Sequence, residues 1–256
     1  MKSVIVIPTY NEAENIHELV TKILENHPQM QLIVVDDNSP DGTGKVADRL
    51  AEQNPAIGVI HRPAKAGLGS AYIAGFKKAL TEGADLIFEM DADFSHDPDY
   101  LKDFLNAIEL ADVVIGSRYI GGVRVDGWRF RRLLISKLAN MFVSYMVVRP
   151  VWDFTAGFRC YRRNVLECID LDKVKSDGYA FQIEMTCLVF AHGFKVTEIP
   201  ILFKERRNGD SKISRAIVWE ALWLTWKCRA PILQIVGHLS FLFKDYTQFV
   251  QQNGQR

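Results

Sequence analysis

The sequence has little of what several common protein classes require. Its 256 residues include only four cysteines, which form no CxxC pair and have no metal-ligand spacing. We therefore expect buried thiols in a reducing compartment, and neither a disulfide scaffold nor a cysteine-bound metal. The 31 Lys and Arg residues balance the 31 Asp and Glu residues, so the net charge is zero. This balance argues against a protein whose main partner is nucleic acid.

Long apolar runs are also missing. No stretch of 18 or more apolar residues occurs, so no transmembrane helix is expected. The apolar run Val4–Ile7 stops at Pro8, which is too short for the core of a signal peptide, and we expect none.

The glycine signatures of two large nucleotide-binding classes are incomplete. Gly67 and Gly69 begin a GxGxxG-like pattern, but Tyr72 stands where the third glycine is needed. No GxxxxGK[ST] segment is present. The sequence therefore disfavours a nicotinamide-dependent dehydrogenase and a P-loop NTPase.

The charges are unevenly distributed along the chain. Residues 1–112 carry 9 basic and 19 acidic side chains, whereas residues 113–256 carry 22 basic and 12 acidic ones. An acidic half suits a metal cation, and a basic half suits phosphates or a membrane surface. The alternative is chance scatter between halves.

Apolar runs alternate with amphipathic stretches, which predicts an α/β fold with a mostly parallel sheet flanked by helices. The predicted strands are Val4–Ile7, Leu32–Val35, Ile57–His61, Leu86–Met90, Asp112–Gly116 and, interrupted by Pro200, Val196–Phe203. The predicted helices are Glu12–His27, a helix capped by Ser39 or Asp41 and ending near Asn54, Gly67–Thr81, Pro98–Glu109, Arg129–Val148 and Tyr179–His192. Ligands of such sheets bind beyond the carboxyl ends of the strands, so the segments that follow the apolar runs are the candidate site.

One of these segments carries closely spaced carboxylates. Asp91 and Asp93 follow a buried strand and can both reach one Mg²⁺ or Mn²⁺ ion that is shared with substrate phosphates. The alternative is a solvated turn that caps the next helix, a role that suits Asp97.

The segment PTYNE follows the first strand. Tyr10 could contact a nucleobase or ribose, and Glu12 or Asp37 could accept hydrogen bonds from either. The alternative, compatible with the first, is a helix start in which Asn11 caps and the acidic residues favour the dipole.

Basic and aromatic residues dominate the second half. Four residues share one helical face and could receive a phosphate, namely Trp128, Arg132, Ser136 and Asn140. The loop Arg206–Lys212 could close over an anionic substrate. The alternatives are a solvated helix face and a surface loop.

The tail carries a tryptophan stripe at helical spacing, formed by Trp219, Trp223 and Trp226 with basic neighbours. Such a stripe suits a helix in a membrane interface, although core packing is the alternative. We predict that Ile213–Phe243 binds the membrane interface.

Eight ordered segments between Val4 and Lys212 resemble glycosyltransferase family 2, and within it the polyprenyl-phosphate (dolichyl-phosphate) mannose synthases. They are PTYNE, DDNSPDGT, KAGLGSAY, DADFSHDP, GSRY, DFTAGFRCYRR, GYAFQIE and FKERRNGDSK. The resemblance implies a GT-A-type nucleotide-sugar-binding fold. It also implies inverting, metal-dependent transfer of mannose from GDP-mannose to a polyprenyl phosphate, with Mg²⁺ or Mn²⁺ as the cofactor.

The resemblance also implies site residues. The nucleotide contacts would be Pro8, Tyr10, Glu12, Val35 and Asp37. The diphosphate would lie at Asp91, Ala92 and Asp93, with Asp91 and Asp93 holding the metal. The cations that grip the diphosphate and the acceptor phosphate would be Arg118, Arg206 and Lys212, with Arg132 and Ser136 on the acceptor side. Catalysis would rest on Asp91, Asp93, Arg118 and Arg206. Some members carry glutamine where this chain has Ser95, whose hydroxyl is a shorter and weaker metal ligand.

The chain is thus expected to have a catalytic domain over residues 1–212 and an amphipathic tail over 213–256. We expect a peripheral protein on the cytoplasmic face of the endoplasmic reticulum or a bacterial plasma membrane, alone or with a small membrane-protein partner. Three alternatives stay open: a glucosyltransferase that uses UDP-glucose, a GT-A-like scaffold without activity, and a metal-dependent hydrolase of nucleotide sugars.

Overall fold

The computed structural model describes residues 1–147 and 151–205. The strands are β1 Ser3–Thr9, β2 Met30–Asp36, β3 Ile57–His61, β4 Leu86–Glu89, β5 Val113–Ser117, β6 Arg159–Arg162 and β7 Val196–Pro200. The α-helices are α1 Ile16–Asn26, α2 Thr43–Gln53, α3 Leu68–Thr81, α4 Leu101–Ala107, α5 Phe130–Val147, α6 Arg163–Cys168 and α7 Gly178–Ala191. Short 3₁₀ turns cover Pro98–Tyr100, Ile108–Leu110 and Leu171–Lys173.

The strands described form one sheet in the order β3-β2-β1-β4-β6-β5-β7. All neighbours pair in parallel except β6, which runs antiparallel to both β4 and β5. The prediction of an α/β fold with a mostly parallel sheet is therefore confirmed, but β6 was not predicted. Its four residues, RCYR, show no alternation of apolar and polar side chains. The strand begins with a charged residue, Arg159, that is buried in the structure.

Alternate residues of β1 pack on opposite faces of the sheet, as strand geometry requires. Val4 and Val6 join the core layer that contains α3 and α7, whereas Ile5 and Ile7 join the layer that contains α1, α2 and α4. Gly75 lets α3 approach the sheet closely, because a Cβ there would lie 2.2 Å from a methyl carbon of Val6. Both sheet faces are thus covered, which leaves the strand ends to form the site.

The predicted start of the first helix was wrong. The helix begins at Ile16 and not at Glu12; a turn over residues 13–15 precedes it, and the backbone of Asn11 is left-handed, with φ 61°. The N–H of Asn11 donates to the Ser39 hydroxyl, and Asn11 is not the N-cap. Neither Ser39 nor Asp41 is the N-cap of α2, which is Gly42, although Asp41 accepts the N–H of Thr43 at 3.0 Å.

The other boundaries differ by smaller amounts. The helices predicted over Arg129–Val148 and Tyr179–His192 each differ by about one residue at either end, and the last strand ends at Pro200. Cys160 and Cys187 are buried thiols as expected, but Cys168 is exposed. No helix among the residues described combines the length and apolar character needed to cross a bilayer. The predicted boundary at residue 212 and the tail stripe lie outside the described residues.

Candidate active site

A cavity of about 500 Å³ opens at the carboxyl ends of the central strands. Segments that follow β1, β2, β4 and β5 all reach it, as parallel strand ends are expected to do. Its lining includes nine of the residues predicted from sequence: Pro8, Tyr10, Glu12, Asp37, Asp91, Ala92, Asp93, Arg118 and Arg132. The structure thus brings most of the predicted set together.

Asp91 and Asp93 are held in place by their surroundings. The buried Tyr72 hydroxyl donates to Asp91 Oδ1 at 3.0 Å, and the Asp91 N–H donates to His96 Nδ1 at 3.1 Å. The N–H of Ser95 donates to Asp93 Oδ1 at 3.0 Å. Asp93 is only 6% exposed, so its carboxylate has little freedom to move away from the cavity.

The donor set at this position fits a hard divalent cation that is shared with a substrate. Within residues 1–147 and 151–205 no three His, Cys, Asp or Glu side chains cluster as a complete metal cage. Mg²⁺ and Mn²⁺ do not need one, because carboxylates supply two ligands while water and phosphate oxygens supply the rest. Room for these is present beside Asp91, where a Cβ on Gly157 would lie 3.7 Å from Oδ2. The Ser95 hydroxyl is buried and has no hydrogen-bond partner within the described part of the chain.

Asp97, in the same segment, has the structural role expected of it. Its side chain accepts the N–H of Asp99 at the start of a 3₁₀ turn, and Lys22 Nζ lies 2.6 Å away. It does not line the cavity. The two halves of the DADFSHDP segment therefore divide between site and scaffold.

The side of the cavity formed by β1 and β2 presents polar groups around an aromatic ring. Asp37 is buried and accepts from Arg62 Nη1 at 2.7 Å and from the N–H of Ala66 at 3.1 Å. Tyr10 is partly exposed, and Lys65 Nζ lies 3.7 Å from the centre of its ring. Asp37 thus fixes the segment that carries Lys65, a residue to which the sequence analysis assigned no role.

Val35 does not line the cavity, although the sequence analysis placed it at the nucleotide. Its side chain is fully buried in the core layer beside α3. The side chain of a strand residue points toward one face of the sheet, and that of Val35 points into the core. Only the backbone of Val35 is therefore available to a ligand at the strand end.

Arg118 is a buried cation with a dedicated partner. Its guanidinium donates to Asp153 through Nε at 2.7 Å and Nη2 at 2.6 Å, and its N–H donates to the same carboxylate at 3.0 Å. Burial alone would lower the pKa of Arg118, but the Asp153 charge outweighs burial and raises it above its ordinary value. Three aromatic rings surround the guanidinium at 5.3 to 5.5 Å, those of Tyr119, Trp128 and Phe203.

The partner carboxylate is itself supported from β7. Glu198 accepts the N–H groups of Trp152 at 2.8 Å and Asp153 at 2.9 Å. Burial raises the pKa of Glu198. Arg118 therefore reaches the cavity as one end of a fixed chain of contacts, and its charge is shared with Asp153.

Helix α5 places Arg132 at the cavity and Ser136 behind it. Arg132 Nη1 lies 2.9 Å from Glu205 Oε1, and the guanidinium carbon stacks 4.0 Å from the centre of the Trp128 ring. Ser136 does not line the cavity; its hydroxyl accepts from the Tyr119 hydroxyl at 2.6 Å. Trp128 precedes the helix, which begins at Phe130, so it does not share the predicted helical face. Arg206 and Lys212 lie outside the described residues.

Two carboxylates at the inner wall were not predicted as site residues. Asp177 lines the cavity and accepts the N–H of Gly69 at 2.8 Å. Glu89 is fully buried in β4 and accepts from Gln182 Nε2 at 2.6 Å. Burial raises the pKa of Glu89 to about 7. A lone glutamate inside the apolar run LIFEM was the signal available in the sequence.

Comparison with known proteins decides the family. The profile described as glycosyl transferase family 2 matches residues 4–170. The chain belongs to glycosyl transferase family 2. The resemblance stated from its motifs is therefore confirmed.

Curated relatives of this family 2 chain extend over most of its length. A polyprenol monophosphomannose synthase from Mycolicibacterium smegmatis is 47% identical over 224 residues, or 87% of this chain and 84% of the relative. An undecaprenyl-phosphate mannosyltransferase from Micrococcus luteus is 44% identical over 87% of this chain and 91% of its own. A dolichol-phosphate mannosyltransferase from Pyrococcus furiosus is 38% identical, and the match covers 62% of that longer protein.

Solved structures confirm the GT-A fold. Glucosyl-3-phosphoglycerate synthase from Mycobacterium tuberculosis, crystallised with Mn²⁺, UDP and its product, superposes with a TM-score of 0.68 at 16% identity. The superposition covers 90% of this chain and 80% of that one.

Proposed function

We propose that this family 2 glycosyltransferase transfers mannose from GDP-mannose to a polyprenyl phosphate, with inversion at the anomeric carbon, and releases GDP. The proposal rests above all on one observation: a carboxylate pair, Asp91 and Asp93, shares a cavity with the guanidinium groups of Arg118 and Arg132. The reaction brings two anions together, a nucleoside diphosphate and a lipid phosphate, so it requires such cations. The relatives named above, which share 38% to 47% of their residues with it, support the sugar and the acceptor class.

Asp91 and Asp93 would hold the divalent metal, Mg²⁺ or Mn²⁺. A bound cation of this kind offsets the charge that develops on the leaving diphosphate. The protein itself positions the two carboxylates through Tyr72 and Ser95, which donate to one carboxylate each.

The acceptor phosphate supplies its own nucleophile. A phosphate monoester has its second pKa near 6, so at pH 7 it is largely a dianion and needs no strong base. An acceptor oxygen forms the bond to the anomeric carbon while the bond from that carbon to the GDP oxygen breaks, and GDP leaves with the electron pair. Arg118 and Arg132 orient the incoming phosphate and screen its charge. The Tyr10 ring and Asp37, at the other end of the cavity, serve the nucleoside.

The test is transfer of radiolabelled mannose from GDP-mannose into an organic-extractable lipid, with purified protein, a polyprenyl phosphate and Mg²⁺. We expect label in the lipid phase and none when EDTA is present. If label enters the lipid only from UDP-glucose, the assignment of GDP-mannose as the donor is wrong, but the assignment of a sugar transfer to polyprenyl phosphate stands. Release of free sugar without lipid would indicate a hydrolase, and no turnover with no nucleotide binding would indicate a scaffold.

Glu205 occupies the position at Arg132 that an acceptor phosphate would take. The pair is partly exposed and 2.9 Å apart, so the carboxylate must be displaced before Arg132 can bind phosphate. We expect Glu205→Gln to lower the KM for polyprenyl phosphate by about twofold to fivefold, the range set by the weak energy of exposed ion pairs. Steady-state kinetics with varied lipid measures this.

A matched control is Glu167→Gln, which removes a surface pair with Arg163 of similar length, 2.7 Å. This control should leave the KM for the lipid unchanged. A higher KM in Glu205→Gln would mean that Glu205 helps to build the acceptor site and does not obstruct it.

We expect the protein to work at a membrane surface, because the proposed acceptor is a membrane lipid. An exposed row on α5 supports this placement: Leu134, Leu138, Met141 and Tyr145. The tryptophan stripe predicted for the tail is a second, sequence-based argument for membrane binding.

We expect the full chain to float with anionic liposomes, and a variant with Trp219→Ser, Trp223→Ser and Trp226→Ser to bind at least fivefold less. Equal binding would overturn the role of the stripe, and no binding by either chain would indicate that a small membrane protein recruits the enzyme.

A further inference from the structure

The inner wall of the cavity contains a buried amide whose oxygen has no partner. Gln182 on α7 lines the cavity and is only 2% exposed. Its Oε1 atom is buried and accepts no hydrogen bond from any residue that the structure describes. Buried carbonyl oxygens are almost always paired in folded proteins, so an unpaired one at a ligand cavity indicates a donor that arrives with the ligand.

The contacts of Gln182 determine whether the oxygen or the nitrogen of its amide is available to a ligand. Its Nε2 donates to Glu89 Oε2 at 2.6 Å, and Glu89 is fully buried in β4. Since the nitrogen is held by Glu89, the oxygen is directed away from that carboxylate. The Gln182 side chain therefore offers its carbonyl oxygen as an acceptor to its remaining surroundings, while one N–H of its amide is taken up by Glu89.

The backbone beneath the side chain is also tied down. Thr186 Oγ1 donates to the Gln182 carbonyl at 2.8 Å, and the buried Arg159 donates to the same hydroxyl at 2.7 Å. Helix α7 is thereby anchored to β6. The amide of Gln182 is held before any ligand binds, as a site that discriminates between ligands requires.

The position of Gln182 indicates which part of the nucleotide sugar lies next to it. Glu89 and Asp91 are two residues apart and so lie on the same side of the strand and its extension. The diphosphate is placed at Asp91, and the nucleoside lies toward Tyr10, so the group next to Glu89 and Gln182 is the hexose. A phosphate at pH 7 has few protons to donate, whereas a hexose carries hydroxyl donors.

We propose that Gln182 Oε1 accepts a hydrogen bond from a hydroxyl of the donor sugar and that Glu89 sets the orientation of this amide. This inference rests on the proposed function, since it takes the donor to be a nucleoside diphosphate sugar. It makes Gln182 a residue that recognises the sugar and leaves the nucleotide untouched.

The test compares two ligands that differ only in the sugar. We expect Gln182→Leu to weaken binding of GDP-mannose about tenfold, the weight of one hydrogen bond to a hydroxyl, and to change binding of GDP by less than twofold. Calorimetry with Mg²⁺ present gives both Kd values. The ratio of the two Kd values is the readout, because a general loosening of the cavity would weaken both ligands alike.

Two further variants keep the test decisive. Thr186→Val, in the same buried network but outside the cavity lining, should leave the ratio at its wild-type value. If Gln182→Leu does not fold, Gln182→Asn keeps the amide, withdraws it by one methylene, and is also expected to raise the Kd for GDP-mannose relative to the Kd for GDP.

Equal weakening of GDP-mannose and GDP in the Gln182 variants would overturn the inference and leave Gln182 a purely structural residue. Failure of the wild-type protein to bind GDP-mannose is a different outcome, which would overturn the proposed donor. The same ratio is then measured with UDP-glucose and UDP, and an unchanged ratio in that pair overturns the inference in the same way.

Discussion

Asp93→Asn is expected to lower mannosyl transfer by about 10²–10³-fold, the usual cost of losing one group on which stabilisation of the developing charge depends. Asp93 would hold the divalent metal that supplies this stabilisation. Asp93 is nearly buried, and its Oδ1 is fixed by the Ser95 N–H. Asparagine preserves the shape and removes the charge, which is the property that a divalent cation requires.

The measurement is the lipid-transfer assay at several Mg²⁺ and Mn²⁺ concentrations. The wild-type protein should lose activity in EDTA and regain it when either ion is added back, whereas Asp93→Asn should need a much higher concentration of metal. Asp97→Asn is the matched control, because this carboxylate belongs to the same segment but pairs with Lys22 outside the cavity. An Asp93→Asn protein with more than half of wild-type activity would contradict the metal assignment.

Asp153→Asn is expected to lower the free energy of unfolding by about 3 kcal/mol or more, the cost of leaving one member of a buried ion pair uncompensated. Arg118 is 3% exposed and Asp153 is fully buried, so water cannot take the place of the lost carboxylate. Urea unfolding measures the effect. Glu167→Gln, which breaks a partly exposed pair with Arg163, should cost less than about 1 kcal/mol.

A double variant separates stability from catalysis at this pair. Arg118→Gln with Asp153→Asn removes both buried charges, so we expect most of the lost stability to return. Transfer should stay at least 100-fold below wild type, because the cation that faces the substrate is gone. Restored transfer in the double variant would mean that Arg118 supports the fold alone.

Much of the site could be predicted from the sequence because strand ends are visible in it. Apolar runs that stop abruptly at polar segments located the ends of β1, β2, β4 and β5, and parallel pairing brings those ends to one edge. Asp37 and Asp91 were predicted in this way, Pro8 and Arg118 were predicted from the family resemblance, and all four line the cavity. The family resemblance, carried by the same segments, is confirmed independently.

The orientation of individual side chains was not predicted correctly for two residues, which do not line the cavity. Val35 is in a strand whose end reaches the site, but its side chain belongs to the core. Ser136 follows Arg132 by one helical turn, yet it pairs with Tyr119 behind the cavity wall. Small rotations about a strand or helix axis decide such cases, and local periodicity does not record them.

The sequence by itself determined the order of the strands other than β6 and of the helices other than α6, together with the polar segments at their ends. It also determined the family to which the chain belongs, because burial periodicity and motif spacing are local properties of the chain. Only the tertiary structure decided which charges are paired. Arg118 meets Asp153 across 35 residues, and Glu89 meets Gln182 across 93. The strand β6 enters the sheet antiparallel between β4 and β5 and carries the buried Arg159. These contacts depend on the topology and on the need to pair every buried charge. Neither can be predicted from the residues next to a given position in the sequence.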